Sequence, residues 1–197
     1  MNTRSYVLGI IERGQVDDTM RTIKETAGVK EGALLVGRYD FMVRLEHSDR
    51  SSLYRGVAQL NSILGVKDTC VHVPLEGFVR DHEIKNSDGV AFVFIKSSQP
   101  QDVISQLKAL DHIVEAHIIS GDWDLVATIH CDGLVNLLET SIHQLEQISG
   151  MLKSETMIAS NYFRKTPDET KQIGTYVPTY ALERLRERTM FSPTARI

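Results

Sequence analysis

A chain of 197 residues with 42% hydrophobic and 24% charged residues has the composition of a globular protein with a sizeable core. The net charge of −4 argues against a protein that coats nucleic acid through a broadly basic surface. The apolar runs are shorter than the roughly 18 residues that cross a bilayer, and the N-terminus lacks a signal-peptide cleavage pattern. Two cysteines without CxxC spacing, Cys70 and Cys131, indicate free thiols, so we predict a cytoplasmic protein.

The first half of the chain alternates strand and helix periodicity. The predicted order is strand, helix, strand, strand, helix, strand, over residues 5–11, 15–27, 30–36, 39–46, 49–63 and 66–73. Apolar residues at helical spacing, Leu53, Val57 and Leu60, mark the second of these helices. A βαββαβ order is that of the ferredoxin-like split βαβ unit.

The second half repeats the same order of elements. Its strands and helices are predicted over residues 90–96, 100–110, 113–120, 123–130, 133–148 and 151–158. Leu134, Leu138, Ile142 and Leu145 carry the apolar spacing of its second helix. We therefore predict modules at 1–80 and 90–165, a polar linker at 81–89, and a C-terminal tail at 166–197 with one short helix over 179–189.

A glycine-x-aromatic-aspartate turn occurs in both halves, as VGRYD over 36–40 and as SGDWD over 120–124. Its two glycines, Gly37 and Gly121, are 84 residues apart. When the two halves are aligned at this spacing, allowing shifts of one residue, Glu31 aligns with Glu115. Self-similarity at a fixed offset predicts that the chain contains the same unit twice.

The second turn predicts the register of the hairpin around it. If Gly121-Asp122 is a two-residue turn, the strands pair residue against residue and form an apolar face for the helices. These pairs are Ile118 with Leu125, Ala116 with Ala127, Val114 with Ile129 and, in the first half, Leu34 with Phe41. The same register places Tyr39 and Trp123 on the helix side.

The opposite sheet face carries both turn aspartates and a mixture of polar and apolar residues. Arg44, His117, Thr128 and His130 lie on it beside Ala33, Leu35, Met42, Ile119 and Val126. A half-apolar sheet face requires a partner, which the second copy of the sheet can supply. The predicted fold is therefore α+β: two tandem ferredoxin-like βαββαβ modules with antiparallel sheets paired as in a dimeric α/β barrel.

The second half resembles the ligand-binding domain of the leucine-responsive regulatory protein/AsnC (Lrp/AsnC) family. The resemblance rests on VEA before the hairpin, the SGDWD turn and the closing strand SGMLKSETMI, with VKEG, VGRYD and GVKDTCVHV as a weaker match in the first half. It implies a βαββαβ fold whose members pair sheet to sheet and assemble further. Members usually carry an N-terminal helix-turn-helix, whereas this chain begins with a predicted strand, so direct DNA binding is not expected.

The resemblance also implies a site, because effectors of the family, commonly amino acids, bind near the glycine-aspartate hairpin. The candidate ligand-binding residues are Gly37, Tyr39, Asp40, Gly121, Trp123 and Asp124, with Thr69 and Thr156 on the closing strands. Turn N–H groups can hold a carboxylate, and an aspartate can accept from an ammonium group. Alternatively, the glycines serve the turn and the aspartates bind backbone N–H groups. No cofactor and no metal are expected.

The sequence therefore predicts a stand-alone module that senses a small effector and oligomerises, acting in transcriptional regulation through a helix-turn-helix relative. No direct nucleic-acid or membrane partner is expected. It carries no catalytic motif, and we expect it not to be an enzyme. Two alternatives stay open. One is a dimeric α/β-barrel enzyme of monooxygenase or isomerase type, with His117, Asp124, Thr128 and His130 inside the barrel. The other is a ligand-free oligomerisation module.

Overall fold

The computed structural model of the chain describes residues 3–80, 88–165 and 170–172. The first half contains β1 (Thr3–Ile11), α1 (Val16–Glu25), β2 (Val29–Val36), β3 (Phe41–His47), α2 (Arg50–Asn61), β4 (Val66–His72) and β5 (Pro74–Val79). The second half contains β6 (Asp88–Ser97), α3 (Pro100–Leu107), β7 (Ile113–Ile119), β8 (Leu125–Asp132), α4 (Gly133–Glu139), β9 (Met151–Lys165) and β10 (Thr170–Gln172). A π-helical turn (Thr140–Gln144) and a 3₁₀ turn (Leu145–Gln147) continue α4.

The two halves have the same topology. In the first half the strands are ordered β4-β1-β3-β2, and in the second half β9-β6-β8-β7, all paired antiparallel. Each half places its two helices on one face of its sheet, as βαββαβ units do. The α+β fold of ferredoxin-like modules predicted from the sequence is confirmed.

The two sheets join into one barrel because each closing strand crosses from its own half to the other. β9 pairs with β6 up to Ile158, then continues along β2 as far as Arg164. On the opposite side β4 pairs with β1, and after Val73 the chain continues as β5 along β7. The interface between the halves is therefore built from backbone hydrogen bonds at both seams.

The interior of the barrel is one of three apolar cores. It takes the following buried residues from both halves: Tyr6, Leu8, Ala33, Leu35, Met42, Val90, Phe92, Phe94, Ile119, Trp123, Val126, Met157, Ala159 and Tyr162. The other two cores lie between each sheet and its own helices, around Ile23 and Leu60 in the first half and Leu107 and Leu137 in the second. Alternate strand residues thus divide between the barrel interior and a helix layer.

The predicted hairpin register is confirmed for Leu34 with Phe41, Ile118 with Leu125 and Ala116 with Ala127. The prediction for Val114 was wrong: the partner of Ile129 is Ile113, because the register shifts between Ile113 and Glu115. A bulge of this kind adds an unpaired residue to one strand and displaces every later pair by one.

The predicted orientation of Tyr39 and Trp123 was also wrong. Trp123 is buried in the barrel core and Tyr39 packs against it, so both face away from the helices. The reason is the length of the turn: Ile119 N donates to Asp124 O, which leaves a four-residue loop between them. Strand alternation does not extend into such a loop, so the side chain of Trp123 is free to turn inward.

The apolar stripe predicted for the second helix of the second half is only partly buried. Leu145 is buried, but Leu134, Leu138 and Ile142 are exposed, and Leu137 takes the core position instead. The intervening π-helical turn changes the number of residues per turn and rotates the face that follows it. The tail helix predicted over 179–189 lies outside the described residues, within which no helix has the length and apolarity to cross a bilayer.

Candidate functional site

The two repeated turns lie at one end of the barrel, which we call the barrel mouth and define by loops 37–40 and 120–124. Each loop packs against the closing strand of the other half. A Cβ added to Gly37 would lie 2.8 Å from Met157 Cγ of β9. One added to Gly121, whose φ is +111°, would lie 2.8 Å from His72 Nδ1 of β4. Glycine therefore lets each loop approach the strand that closes the barrel.

The two aspartates hold the ends of the central strands. Asp40 Oδ2 accepts a hydrogen bond from Ile11 N at 2.7 Å, and Asp124 Oδ2 accepts one from Ser97 N at 2.9 Å. Asp124 Oδ1 also lies 3.5 Å from Lys96 Nζ. The aspartate at this point of each repeat thus has the same structural partner, the N–H group at the end of β1 or β6.

Aromatic rings and charges of both signs surround the loops at the barrel mouth. Lys153 Nζ lies 5.3 Å from the Trp123 ring centroid, within the range of a cation–π contact. Arg38 stands 5.6 Å from the centre of the Tyr39 ring. Burial raises the pKa of Tyr39, and nearby negative charge, including that of Asp122, raises it further. The mouth therefore combines an apolar floor with accessible groups that could hold either end of an amphoteric molecule.

The remaining predicted site residues, Thr69 and Thr156, lie on the closing strands β4 and β9 rather than in these loops. Thr69 is paired with Gly9, so β1 separates it from the first loop, and its hydroxyl donates to Asn61 Oδ1 at 2.8 Å. Thr156, on β9, pairs with Val93 of β6 and is half-buried. Of the eight candidates, the structure brings the six loop residues to one end of the barrel.

A cluster of buried charges, Glu31, Arg44 and Glu115, crosses the middle of the barrel and is called the charge cluster below. Arg44 Nη1 lies 3.3 Å from Glu31 Oε2 and also contacts Glu115 Oε2. Its Nη2 donates to Thr128 Oγ1 at 3.1 Å. Glu31 and Glu115 are the pair that the sequence repeat aligns, and Arg44 and Thr128 have the same 84-residue spacing. One arginine is therefore the shared ion-pair partner of both copies of a repeated glutamate.

The rest of the hydrogen bonding gives the two glutamates chemically similar partners, from positions that the repeat does not align. Tyr6 donates to Glu115 at 2.8 Å, and Tyr162 donates to Glu31 at 2.6 Å. At the margin His117 Nε2 lies 2.7 Å from Glu115 Oε1 and Arg164 Nε lies 3.4 Å from Glu31 Oε2. Each carboxylate thus receives a tyrosine hydroxyl, the shared guanidinium and one further nitrogen.

This environment shifts the ionisation of the cluster. Burial alone would raise the pKa of Glu115, but Arg44 and then His117 outweigh it and hold that pKa at about 2. Burial raises the pKa of Tyr6 and of Tyr162 well above the usual value, so both hydroxyls remain hydrogen-bond donors. Arg44 was predicted on this sheet face, whereas the cluster was not predicted, although the aligned glutamates Glu31 and Glu115 were a signal for it.

No group of three or more histidine, cysteine or acidic side chains capable of holding a metal occurs in the part of the chain that the structure describes. The free thiols lie apart: Cys70 is half-buried on β4, where its Sγ is 3.5 Å from His72 Nε2, and Cys131 is buried beside Thr140. Burial raises the pKa of both thiols.

Residues 90–169 match the family model described as the Lrp/AsnC ligand binding domain. Two relatives are uncharacterized HTH-type transcriptional regulators. One, from Pyrococcus horikoshii, is 24% identical over 132 residues, which cover 59% of this chain and 88% of that protein. The other, from Pyrococcus furiosus, is 26% identical over 143 residues, which cover 64% and 94%.

Among solved structures, the siroheme decarboxylase NirDL has the same fold over 96% of this chain and 80% of its own, with a TM-score of 0.59 and 10% identity. A likeness at that identity concerns the fold alone. The family match lies in the half whose loop contains Trp123 and Asp124. Over residues 90–169 this chain is therefore similar to the ligand-binding domain of the Lrp/AsnC family.

Proposed function

We propose that the protein is a cytoplasmic sensing and assembly module of Lrp/AsnC type. It binds an amino acid as its small effector and acts on transcription through a partner. The observation that carries the proposal is the ligand-binding family match over residues 90–169, combined with a barrel in which the chain supplies both halves of the sheet pair. The relatives named as regulators support the regulatory role. The division into modules at 1–80 and 90–165, a linker at 81–89 and a tail at 166–197 belongs to the same proposal.

The barrel mouth is the proposed effector site. An amino acid would place its carboxylate near Lys153 and its ammonium group near Asp122, above the rings of Trp123 and Tyr39. Lys153 and Asp122 are exposed and make no ion pair among the described residues, so they are available without breaking an existing ion pair. Asp40 and Asp124 would support the site by fixing both loops to the ends of β1 and β6.

A thermal-shift screen against the twenty amino acids tests the effector proposal. A ligand that binds only the folded state raises Tm by mass action, by an amount that grows with ligand concentration. We expect Tm to rise with one or a few amino acids. The rise should be lost in Lys153→Gln and in Asp122→Asn, because each removes a charge that holds the ligand. Both positions are exposed, so these changes leave the barrel intact. Lys108→Gln, an equally exposed change at the end of α3, is the matched control. No rise at millimolar ligand, or a rise unchanged in both variants, would contradict the proposed site.

Partner binding is tested separately. We expect the purified protein to co-elute with an Lrp/AsnC-type helix-turn-helix regulator from the same cell in size-exclusion chromatography, and to change the size of that assembly. The protein alone should show no retardation of DNA in a mobility-shift assay. Retardation by the protein alone, or independent elution of the two proteins, would count against action through a partner.

A tetrapyrrole enzyme is the second candidate, and the fold likeness to NirDL over nearly the whole chain favours it. NirDL has also been solved with an iron-uroporphyrin III analogue, with a TM-score of 0.62 to this chain. Here side chains fill the interior of the barrel, so a macrocycle would have to bind outside it. Titration of the protein with haem, followed by the Soret absorbance, decides the matter: a saturable shift would favour this candidate over amino-acid sensing.

A further inference from the structure

A groove of about 230 Å³ opens on the helix side of the sheet, at the seam where β9 of the second half meets β2 of the first. We call it the seam groove. It is lined by Asp17, Met20, Arg21 and Lys24 of α1, Leu34 of β2, and Asn161 and Phe163 of β9. It is separate from the barrel mouth and from the charge cluster, both of which lie on the other face of the sheet.

The backbone of β9 is irregular where it borders the groove. Asn161 has φ of +51° and is the only non-glycine residue with positive φ among the described residues. The pairing of β2 with β9 shifts register at the same point, between Gly32 and Leu34. A left-handed asparagine costs on the order of 1 kcal/mol, and bulges of this type often redirect a side chain at a binding site. Asn161 lines the groove at this bulge.

The four residues from α1 have the spacing i, i+3, i+4 and i+7, so they form one stripe along the helix. Asp17 lies in the first turn of this stripe and Lys24 in the last. Arg21 is held by an ion pair with Asp18. Neither Asp17 nor Lys24 forms an ion pair with another described residue. The apolar residues Met20, Leu34 and Phe163 lie between these charges.

Positive charge is concentrated at the Lys24 end. Lys24 Nζ lies 5.4 Å from the centre of the Phe163 ring, where its stem and the ring form a common surface. Burial, followed by the charges of Lys30 and Lys24, lowers the pKa of Lys165, and the charge of Glu25 only partly opposes this shift. Lys30 has Glu46 as a partner at 3.4 Å, whereas no described acidic group lies within ion-pair distance of Lys165. An anion placed here would relieve the repulsion among the lysines.

We propose that the seam groove is a second ligand site, which binds a small organic monocarboxylate with an apolar or aromatic body. The carboxylate is held by Lys24 and by the Asn161 amide N–H, and the body packs on Met20, Leu34 and Phe163. Asp17 repels a second carboxylate at the far end, which selects monoanions over dianions. This site does not rest on the proposed function of the barrel mouth.

Phenylacetate is the probe, and 2-phenylethanol and inorganic phosphate are its controls. Binding is followed by ¹⁵N NMR on the full chain, with the backbone amides of Asn161 and Phe163 as reporters. We expect saturable shifts of both amides with phenylacetate, and at least tenfold weaker binding in Lys24→Met, which keeps the aliphatic stem over Phe163. Binding should weaken with salt and be weaker for phenylsuccinate, a dianion, than for phenylacetate.

Three results would overturn the inference. Equal binding of 2-phenylethanol would mean an apolar cleft without anion recognition, and equal binding of phosphate would mean a site for inorganic anions. Unchanged affinity in Lys24→Met would remove the role of the lysine. Lys67→Met, a change at an exposed lysine of β4, should leave phenylacetate binding intact. Asp122→Asn at the barrel mouth should do the same, so failure here and failure of the effector site can be told apart.

Discussion

Replacement of Arg44 by methionine should destabilise the barrel more than any surface change, because Arg44 is the shared cation of the charge cluster. Its side chain is 3% exposed, and those of Glu31 and Glu115 are 2% and 8% exposed. The variant leaves two carboxylates buried without their guanidinium, and it also removes the hydrogen bond to Thr128. Tyr6 and Tyr162 still donate to the carboxylates, but a neutral donor compensates a buried charge only in part.

The magnitude follows from the cost of removing one partner from a buried ion pair, which is about 3–5 kcal/mol. Two carboxylates share this arginine, so the loss should reach the upper part of that range. A domain of ordinary stability has about 5–15 kcal/mol in total, so Arg44→Met should remain folded only if the parent lies well above the lower limit. An exposed pair such as Lys67 with Glu12, at 4.0 Å, should contribute at most about 1 kcal/mol.

Urea unfolding at pH 7 followed by circular dichroism measures these differences, with Lys67→Met as the control. Neutralising the carboxylates in the same background, as Arg44→Met with Glu31→Gln and Glu115→Gln, should restore at least half of the loss. The penalty should also shrink as the pH falls to about 4, because unpaired buried carboxyls have raised pKa values and take up protons. A loss no greater than that of the control, or no recovery in the triple variant, would refute the reasoning.

Three further predictions concern the same barrel. The pKa of Glu115 lies near 2 when folded and near 4.5 when unfolded, so its contribution of about 3 kcal/mol is complete above pH 4.5 and is lost as the pH falls toward 2. Urea titrations should show that the free energy of unfolding falls less between pH 5 and pH 3 in Glu115→Gln than in the parent. Thr128→Val should cost about 1 kcal/mol in the same assay, because it removes the hydroxyl that accepts a hydrogen bond from Arg44. Gly121→Ala should lower Tm more than Gly14→Ala, since both have positive φ but only at Gly121 would the new Cβ meet another residue, His72.

The fold could be predicted from the sequence because its information is local. Periodicity marks the strands and helices of each half, and the hairpin register around Gly121 follows from the position of the turn. The periodicity of apolar residues did not predict β5. The segment Pro74–Val79 begins with proline and contains glycine, so its strand propensity is weak, and it is a strand because β7 pairs with it. Such a pairing is a tertiary contact that local sequence does not encode.

The charge cluster shows the same limit more sharply. Glutamate within a strand is usually exposed, and only a specific partner makes its burial tolerable. The partners of Glu115 are Tyr6, 109 residues away, and Arg44, on another strand of the other half. The alignment of Glu31 with Glu115 was visible in the sequence, but the single arginine that serves both becomes evident only when the barrel is closed.

The difference between Arg44 and Thr128 gives the two halves distinct roles in pairing. Two copies of the first half, joined as the halves are here, would bring two Arg44 guanidinium groups and two Glu31 carboxylates together in the barrel, one cation for each anion. Two copies of the second half would bury two Glu115 carboxylates with only threonines opposite them. The mixed pair has one arginine for two glutamates, with Arg44 bonded to Thr128 across the centre. Because unpaired buried charge costs several kcal/mol, the second half disfavours its own copy and pairs with the first half, which carries Arg44. The duplicated chain thus supplies Glu115 with a cation that a second copy of its own half would lack.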